Sequence, residues 1–344
     1  MSGPAFTPVN LITGFLGSGK TTLLQRLLAD PALADTAVLI NEFGEVGLDH
    51  LLLERIDERM VLLQSGCLCC TIRGELSDSI RDLHSRRERG TIAPFRRLVI
   101  ESTGLADPFP VLTTIHADPV LKHHFVLGNV VCTVDAVNGL GHLARQPESV
   151  KQVAVADRLV VTKTDIADTT ATSALLARAR AINPAAPLLL AAEDALDADM
   201  LLARDTFDLD TKGEAARAWF GAELAREAHH HHGHDPNRHG TDIRAFALTF
   251  EEPLDWTAFG IWLTMLLNRH GERVLRVKGI LDIDGEAAPV AVHGVQHLVH
   301  PPVHMRAWPD GERRSRIVFI AQGLERAAIE RSLRAFAGLA MAPA

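Results

Sequence analysis

Gly14-Phe15-Leu16-Gly17-Ser18-Gly19-Lys20-Thr21 satisfies GxxxxGK[ST] at every fixed position. It follows an apolar run, Val9 to Ile12, and precedes a helical pattern in Thr22, Leu23, Leu24, Leu27 and Leu28. A strand, a glycine-rich loop and a helix in that order are the context in which this motif binds phosphate. The glycines let backbone amides approach phosphate oxygens, and the helix opening near Lys20 points its positive dipole end at the same anion. The expected nucleotide-binding set is Gly14, Gly17, Ser18, Gly19, Lys20, Thr21 and Thr22. Lys20 is expected to span the β- and γ-phosphates, and Thr21 to give its hydroxyl to Mg²⁺. The bland reading, a glycine turn that binds nothing, does not account for the flanking strand and helix.

The second cluster is sulfur. Three of the four cysteines are Cys67, Cys69 and Cys70. Thiolates select zinc, Cu(I) or iron–sulfur chemistry, and a closed structural zinc site takes four protein ligands. CxCC supplies three, so a fourth must come from Glu42, Glu45, a histidine or water, and the site is expected to be open and exchangeable. Two other readings stand beside this one: a redox role, since Cys67 and Cys70 are spaced as CxxC, and buried, inert thiols. Cys132 lies in the apolar run Val130–Val134 and reads as a small core residue.

Two further segments follow apolar runs. Arg97-Leu98-Val99-Ile100-Glu101-Ser102-Thr103-Gly104 ends a strand on an acid suited to a magnesium or water contact and on Gly104, whose amide can sense a γ-phosphate. Leu159-Val160-Val161-Thr162-Lys163-Thr164-Asp165 resembles the guanine-reading NKxD pattern, with Thr162 in place of asparagine. Lys163 would pack its stem over the base, and Asp165 would accept from the guanine N1 and N2 hydrogens. A polar turn without a ligand is the alternative. Asn41-Glu42-Phe43-Gly44-Glu45-Val46-Gly47-Leu48-Asp49 lies where a nucleotide-responsive segment belongs.

A third chemical cluster is internal. His229, His230, His231, His232 and His234 sit in a polar stretch, either a passive linker or a weak, unselective metal-capture tract. His293, His297, His300 and His304 are spaced loosely and read as surface or core residues more readily than as a ligand set.

These residues need a frame. Candidate strands Val9–Ile12, Ala37–Ile40, Met60–Leu63, Arg97–Ile100, Val130–Val134, Arg158–Val161 and Pro187–Leu190 alternate with helical patterns at Lys20–Ala29, Gly74–Arg89, Val137–Arg145 and Thr170–Ile182. Continuous apolar strands with helices between them predict an α/β domain with a mostly parallel sheet, its ligands at the carboxyl ends of the strands. Beyond the histidines the pattern changes. Strands at Ile243–Phe250, Val274–Ile283, Val290–Val292 and Ile317–Ile320, a helix on the face Trp256, Phe259, Trp262, Leu263, Leu266 and Leu267, and a last helix from Leu324 to Phe336 predict a smaller α+β domain. The expected division is 1–205, a polar linker 206–241, and 242–344.

Composition narrows the function classes. The 344 residues are 47% hydrophobic with a formal charge of −8, enough for two packed cores and without the basic block of a nucleic-acid binder. No apolar run is long enough for a membrane span, and the first residues lack a secretory pattern, so a cytoplasmic protein is expected.

Together the segments GFLGSGKTTLL, NEFGEVGLD, GCLCC, ESTG and TKTD, the histidine tract and the later Arg276-Val277-Lys278-Gly279 resemble, in this order and over nearly the whole chain, the CobW-like metal-binding GTPases, particularly their YjiA-like branch. The family is similar to the nickel-insertion GTPases of urease and hydrogenase. The resemblance implies a P-loop GTPase domain and a CobW-type C-terminal domain, with GTP and Mg²⁺ as the working nucleotide and Zn²⁺ as the commonest proposed cargo. Co²⁺ or another transition metal remains open. It also implies Cys67, Cys69 and Cys70 as metal ligands, Glu45 beside them, and a client metalloprotein. Catalysis would rest on Lys20, Mg²⁺ and backbone amides, with Glu101 at the metal or water. Cobalt or iron delivery for cobalamin synthesis or nitrile hydratase, a small-molecule kinase, and a metal buffer or sensor are the alternatives. A homodimer is among the assemblies the sequence allows.

Overall fold

A computed structural model describes residues 6–40, 62–64, 72–192, 196, 198–202, 243–309 and 311–339. They form two compact units.

The first unit is built on seven parallel strands: β1 (Thr7–Gly14), β2 (Thr36–Ile40), β3 (Leu62–Gln64), β4 (Arg97–Glu101), β5 (Phe125–Asp135), β6 (Arg158–Thr162) and β7 (Leu188–Leu190). Their spatial order is β3-β2-β4-β1-β5-β6-β7, and every neighbouring pair is parallel. All eight residues of β1 are buried, as expected of a strand covered on both faces. The strand order reverses at β1, which lies between β4 and β5, and the crevice beyond its carboxyl end is where such sheets bind ligands.

The helices are α1 (Lys20–Leu28), α2 (Ile72–Glu88), α3 (Phe109–Ala117), α4 (Leu121–His124), α5 (Gly139–Arg145), α6 (Pro147–Val155), α7 (Thr169–Ile182) and α8 (Ala198–Leu202). Leu23, Leu24, Leu27 and Leu28 of α1 pack with Ala198, Leu201 and Leu202 of α8 over Ile12, Val38, Val99, Val131 and Val160 of the sheet. Four helices that periodicity does not suggest are present. In α3 and α6 a proline lies in the first turn, where its missing N–H costs nothing, although proline reads as a breaker. α5 starts two residues later than its apolar pattern because the amides of Val137 and Asn138 turn back to Asp135 Oδ1 at 2.8 and 3.3 Å.

β1 carries a register shift against β5 between Val9 and Leu11. The Asn129 amide donates to the fully buried Asn10 side chain at 2.8 Å, and a Cβ on Gly128 would stand 2.5 Å from that side chain's oxygen. The irregularity is thus fixed by a buried polar contact.

The second unit is antiparallel, with β8 (Ile243–Phe250), β9 (Val274–Leu281), β10 (Val290–Val295), β11 (Leu298–Val299), β12 (Val303–His304) and β13 (Ser315–Gln322) ordered β11-β10-β9-β13-β8, and β12 on β10. Helices α9 (Trp256–His270) and α10 (Arg326–Ala337) share one core with it: Phe259, Trp262, Leu263 and Leu267 of α9 and Ile329 and Leu333 of α10 meet Leu248, Val277, Val292 and Phe319. The strand expected at Val274–Ile283 stops at Leu281, and Ile283 forms only an isolated bridge with Leu254. The two short strands β11 and β12 carry no apolar alternation long enough to signal them.

Candidate functional site

The phosphate loop runs from the end of β1 into α1. Gly14 has φ 140°, and a Cβ there would stand 2.3 Å from Thr133 Oγ1 and 2.5 Å from the Thr133 carbonyl oxygen. Only glycine fits where the loop leaves β1 against β5. Gly17 and Gly19, at φ 69° and 87°, complete the left-handed turns. Gly19 is the N-cap of α1, and no side chain caps the helix, so its first amides are offered to an anion.

Ser18 is held from two sides. Its hydroxyl lies 2.7 Å from Thr133 Oγ1, and its carbonyl accepts from Thr162 Oγ1 at 2.8 Å. Thr162, at the position of the asparagine in the guanine-reading pattern, thus ties β6 to the phosphate loop through its hydroxyl. Lys163 takes φ 59° and donates to the Gly17 carbonyl and to Asp135 Oδ2, both at 2.8 Å. Asp165 is exposed at the following turn. Thr22 is exposed on the outer side of α1.

Lys20 is 9% exposed, and its Nζ donates to the Phe15 carbonyl at 3.3 Å, closing back over the loop. Thr21 Oγ1 donates to Glu101 Oε1 at 2.7 Å. A hydroxyl and a carboxylate so placed, both hard oxygen donors, suit Mg²⁺. Gly104 presses on the loop from the other side: a Cβ there would lie 2.5 Å from the Leu16 amide nitrogen and 2.7 Å from its Cα.

Sequence reasoning missed Asp135. It is 2% exposed. Burial pushes its carboxyl up, but Lys163, the Asn138 side chain and the amides of Val137 and Asn138 together hold it below the ordinary carboxylate range. Its signal was an acid closing a buried apolar strand three residues ahead of an asparagine. Cys132, one strand position from Thr133, is buried, and desolvation raises its thiol to about 12, which makes it an inert core residue.

Glu42, Glu45, Cys67, Cys69, Cys70, His229, His230, His231, His232 and His234 lie outside the described residues. The strands that precede Glu42 and Cys67, β2 and β3, are described, and their ends pair with each other. Gln64 pairs with Ile40, Ile40 with Glu101, and Glu101 with Ile12, so the four stand in one row across β3, β2, β4 and β1. At about 4.8 Å per strand, the chain leaves β2 toward Glu42 one strand from Glu101. It leaves β3 toward the cysteines two strands, or roughly 10 Å, from Glu101. Beyond the cysteines, α2 is anchored by Asp118, which accepts from Ser77 and pairs with Arg81. Among the described residues no group of three or more histidine, cysteine or acidic side chains could hold a metal. His293 and His300 stack with ring centroids 4.2 Å apart.

The nucleotide-binding domain described as CobW/HypB/UreG matches residues 8–190, and the cobalamin synthesis protein cobW C-terminal domain matches residues 243–337. The chain is 34% identical over 332 residues to the zinc chaperone YjiA of Escherichia coli, covering 96% of this chain and 98% of that protein. It is 30% identical over 359 residues to the zinc chaperone CobW of Pseudomonas aeruginosa, covering 95% and 90%. The crystal structure of Zn(II)-bound YjiA GTPase from E. coli superimposes with a TM-score of 0.72 at 29% identity, over 98% of this chain and 99% of that one.

Proposed function

The chain belongs to the CobW/HypB/UreG family, and from that premise we propose that it hydrolyses GTP with Mg²⁺ and uses the cycle to carry zinc, held at Cys67, Cys69 and Cys70, to a client protein. The observation that carries this reading is the row Gln64, Ile40, Glu101 and Ile12. In that row the end of β2, which precedes the acidic segment, lies one strand from Glu101, and the end of β3, which precedes the cysteines, lies two strands from it, while the Glu101 carboxylate accepts from the Thr21 hydroxyl.

Each residue of the site has a task in that reading. The glycine-lined loop and the uncapped start of α1 bind the phosphates, and Lys20, released from the Phe15 carbonyl, neutralises charge that grows on the transferred phosphoryl group. Thr21 and Glu101 would hold Mg²⁺, which when bound supplies charge neutralisation to the β- and γ-phosphates. Lys163, braced between Gly17 and Asp135, offers its stem as a shelf for the base, and Asp165 pairs with the guanine edge. Cys67, Cys69 and Cys70 carry the cargo with Glu42 or Glu45 alongside, and the C-terminal unit engages the client.

The test is a zinc titration under competing chelator on nucleotide-free, GDP-bound and GTP-analogue-bound protein, with Mg²⁺ throughout. The expected result is a zinc affinity that changes with the nucleotide by about 5–150-fold, with GTP affinity changing by the same factor when zinc is added. Equal zinc affinities in the three states would make the nucleotide and metal sites independent and end the carrier reading.

A further inference from the structure

Gln152 of α6 is fully buried, and no step above uses it. Its Nε2 donates to two carbonyls, those of Gly104 and Ala106, each at 3.1 Å. With two acceptors facing it, that end of the amide must be the nitrogen. Its Oε1 has no hydrogen-bond partner among the described residues. A buried amide oxygen left in that way calls for a reason, and the reason lies in what the other end grips. Beside it, Lys151 Nζ reaches Asp107 Oδ2 at 3.0 Å, while Asp107 Oδ1 accepts the Phe109 amide that opens α3. Helix α6 therefore holds residues 104–107 by two adjacent side chains, one neutral and one charged.

The gripped loop is the one whose Gly104 backbone stands against Leu16 of the phosphate loop with no room for a Cβ. We propose that Gln152 is a positioning residue for this loop: by fixing the Gly104 and Ala106 carbonyls it sets where the Gly104 peptide stands over the phosphate loop, and so sets how well the protein tells a nucleoside triphosphate from a diphosphate. The inference rests on the nucleotide-binding reading above. Gln152 touches no nucleotide; it acts through the loop. The diphosphate is held by the loop of β1 and α1, to which the Gln152 side-chain amide makes no hydrogen bond, so its binding depends less on the grip. Only a terminal phosphate needs the Gly104 peptide in place.

The experiment uses the full chain, measuring affinities for Mg²⁺–GDP and a non-hydrolysable Mg²⁺–GTP analogue, with steady-state kcat and KM for GTP. Gln152→Met keeps the length and removes both donors. The expected result is a loss of about tenfold in affinity for the GTP analogue, GDP affinity within about twofold of wild type, and a fall in kcat. Lys151→Met, on a half-buried neighbour that leaves the core closed, is expected to shift the ratio in the same direction by a smaller factor, and Lys151→Arg to restore it. That second pair decides the matter if Gln152→Met does not fold. Parallel losses for both nucleotides, in step with the melting temperature, would reduce Gln152 to a packing residue and overturn the inference, as would an unchanged ratio in both Met variants. A wild type that binds neither nucleotide overturns the nucleotide reading together with this one, whereas a wild type and variants that discriminate equally overturn this one alone.

Discussion

Thr21 and Glu101, eighty residues apart in sequence, are joined by a 2.7 Å hydrogen bond from hydroxyl to carboxylate. β1 and β4 are parallel neighbours with Ile12 opposite Glu101, so the strand end delivers the acid to the first turn of α1. A magnesium ion at this pair would use the oxygens that now face each other.

Replacing either partner should therefore separate magnesium-dependent chemistry from phosphate binding. Glu101→Gln and Thr21→Ala are expected to lower GTP turnover by about 100-fold or more, while GDP binding measured in the presence of a magnesium chelator stays near wild type. Turnover that survives both substitutions would move the magnesium site elsewhere.

Guanine preference is the next expectation. Thr162 supplies the link from β6 to the phosphate loop, and in the proposed reading base choice falls to Asp165, whose paired contacts adenine would not satisfy. Competition binding should favour GTP over ATP by at least about tenfold. Asp165→Asn should erase most of that margin, and Lys20→Ala should weaken phosphate binding for any nucleotide.

The cysteine connection and the histidine tract should differ in kind. The Cys67→Ala/Cys69→Ala/Cys70→Ala variant is expected to lose the tightest zinc site, since thiolates borne by a folded domain need less ordering on binding. Deleting residues 229–234 should lower the number of ions bound and spare that site. Equilibrium dialysis of both variants checks this, and the opposite pattern would reverse the assignment.

Acid stability should report on Asp118. Burial opposes its charge, but the Ser77 hydroxyl, the amides of Leu121 and Val120, and Arg81 outweigh it and bring the carboxyl down to about 2 from 3.8. A depressed carboxyl contributes stability that is complete above its unfolded value and is lost as the pH falls through the folded one. The wild type should thus lose stability on acidification from about pH 4 toward pH 2. Asp118→Asn should be less stable at neutral pH and flatter over that interval. Denaturant midpoints against pH measure it, and parallel curves for the two proteins would remove Asp118 from the account.

Much of the fold was legible because buried parallel strands are written as unbroken apolar runs. Each of the seven expected strands is present, and the ladder from Val38 opposite Leu62 to Leu159 opposite Leu188 joins them. Helices α3 and α6 were hidden because their prolines lie in the first turn, a distinction that depends on where the helix begins. In the site, spacing alone pointed to Lys20, Thr21, Glu101 and Gly104. It could not reveal Asp135 or Gln152, because each acts on a partner that only the folded sheet brings near: Lys163 for one, the Gly104 and Ala106 carbonyls for the other. Nor could it assign Thr162, whose role depends on a carbonyl 144 residues away.

The helix α1 begins on a left-handed glycine with no side-chain cap, and that omission has a consequence for the protein's lifetime. A glycine start without a side-chain cap forgoes only about a few tenths of a kcal/mol that serine or aspartate would contribute there. Whatever anion settles on those amides supplies the missing cap from solution. Nucleotide loading and persistence of the fold then become a single equilibrium, in which ligand at a hundredfold excess over its Kd adds about 2.7 kcal/mol. The nucleotide pool would thus bear on how much of this protein survives proteolysis as well as on how often it turns over.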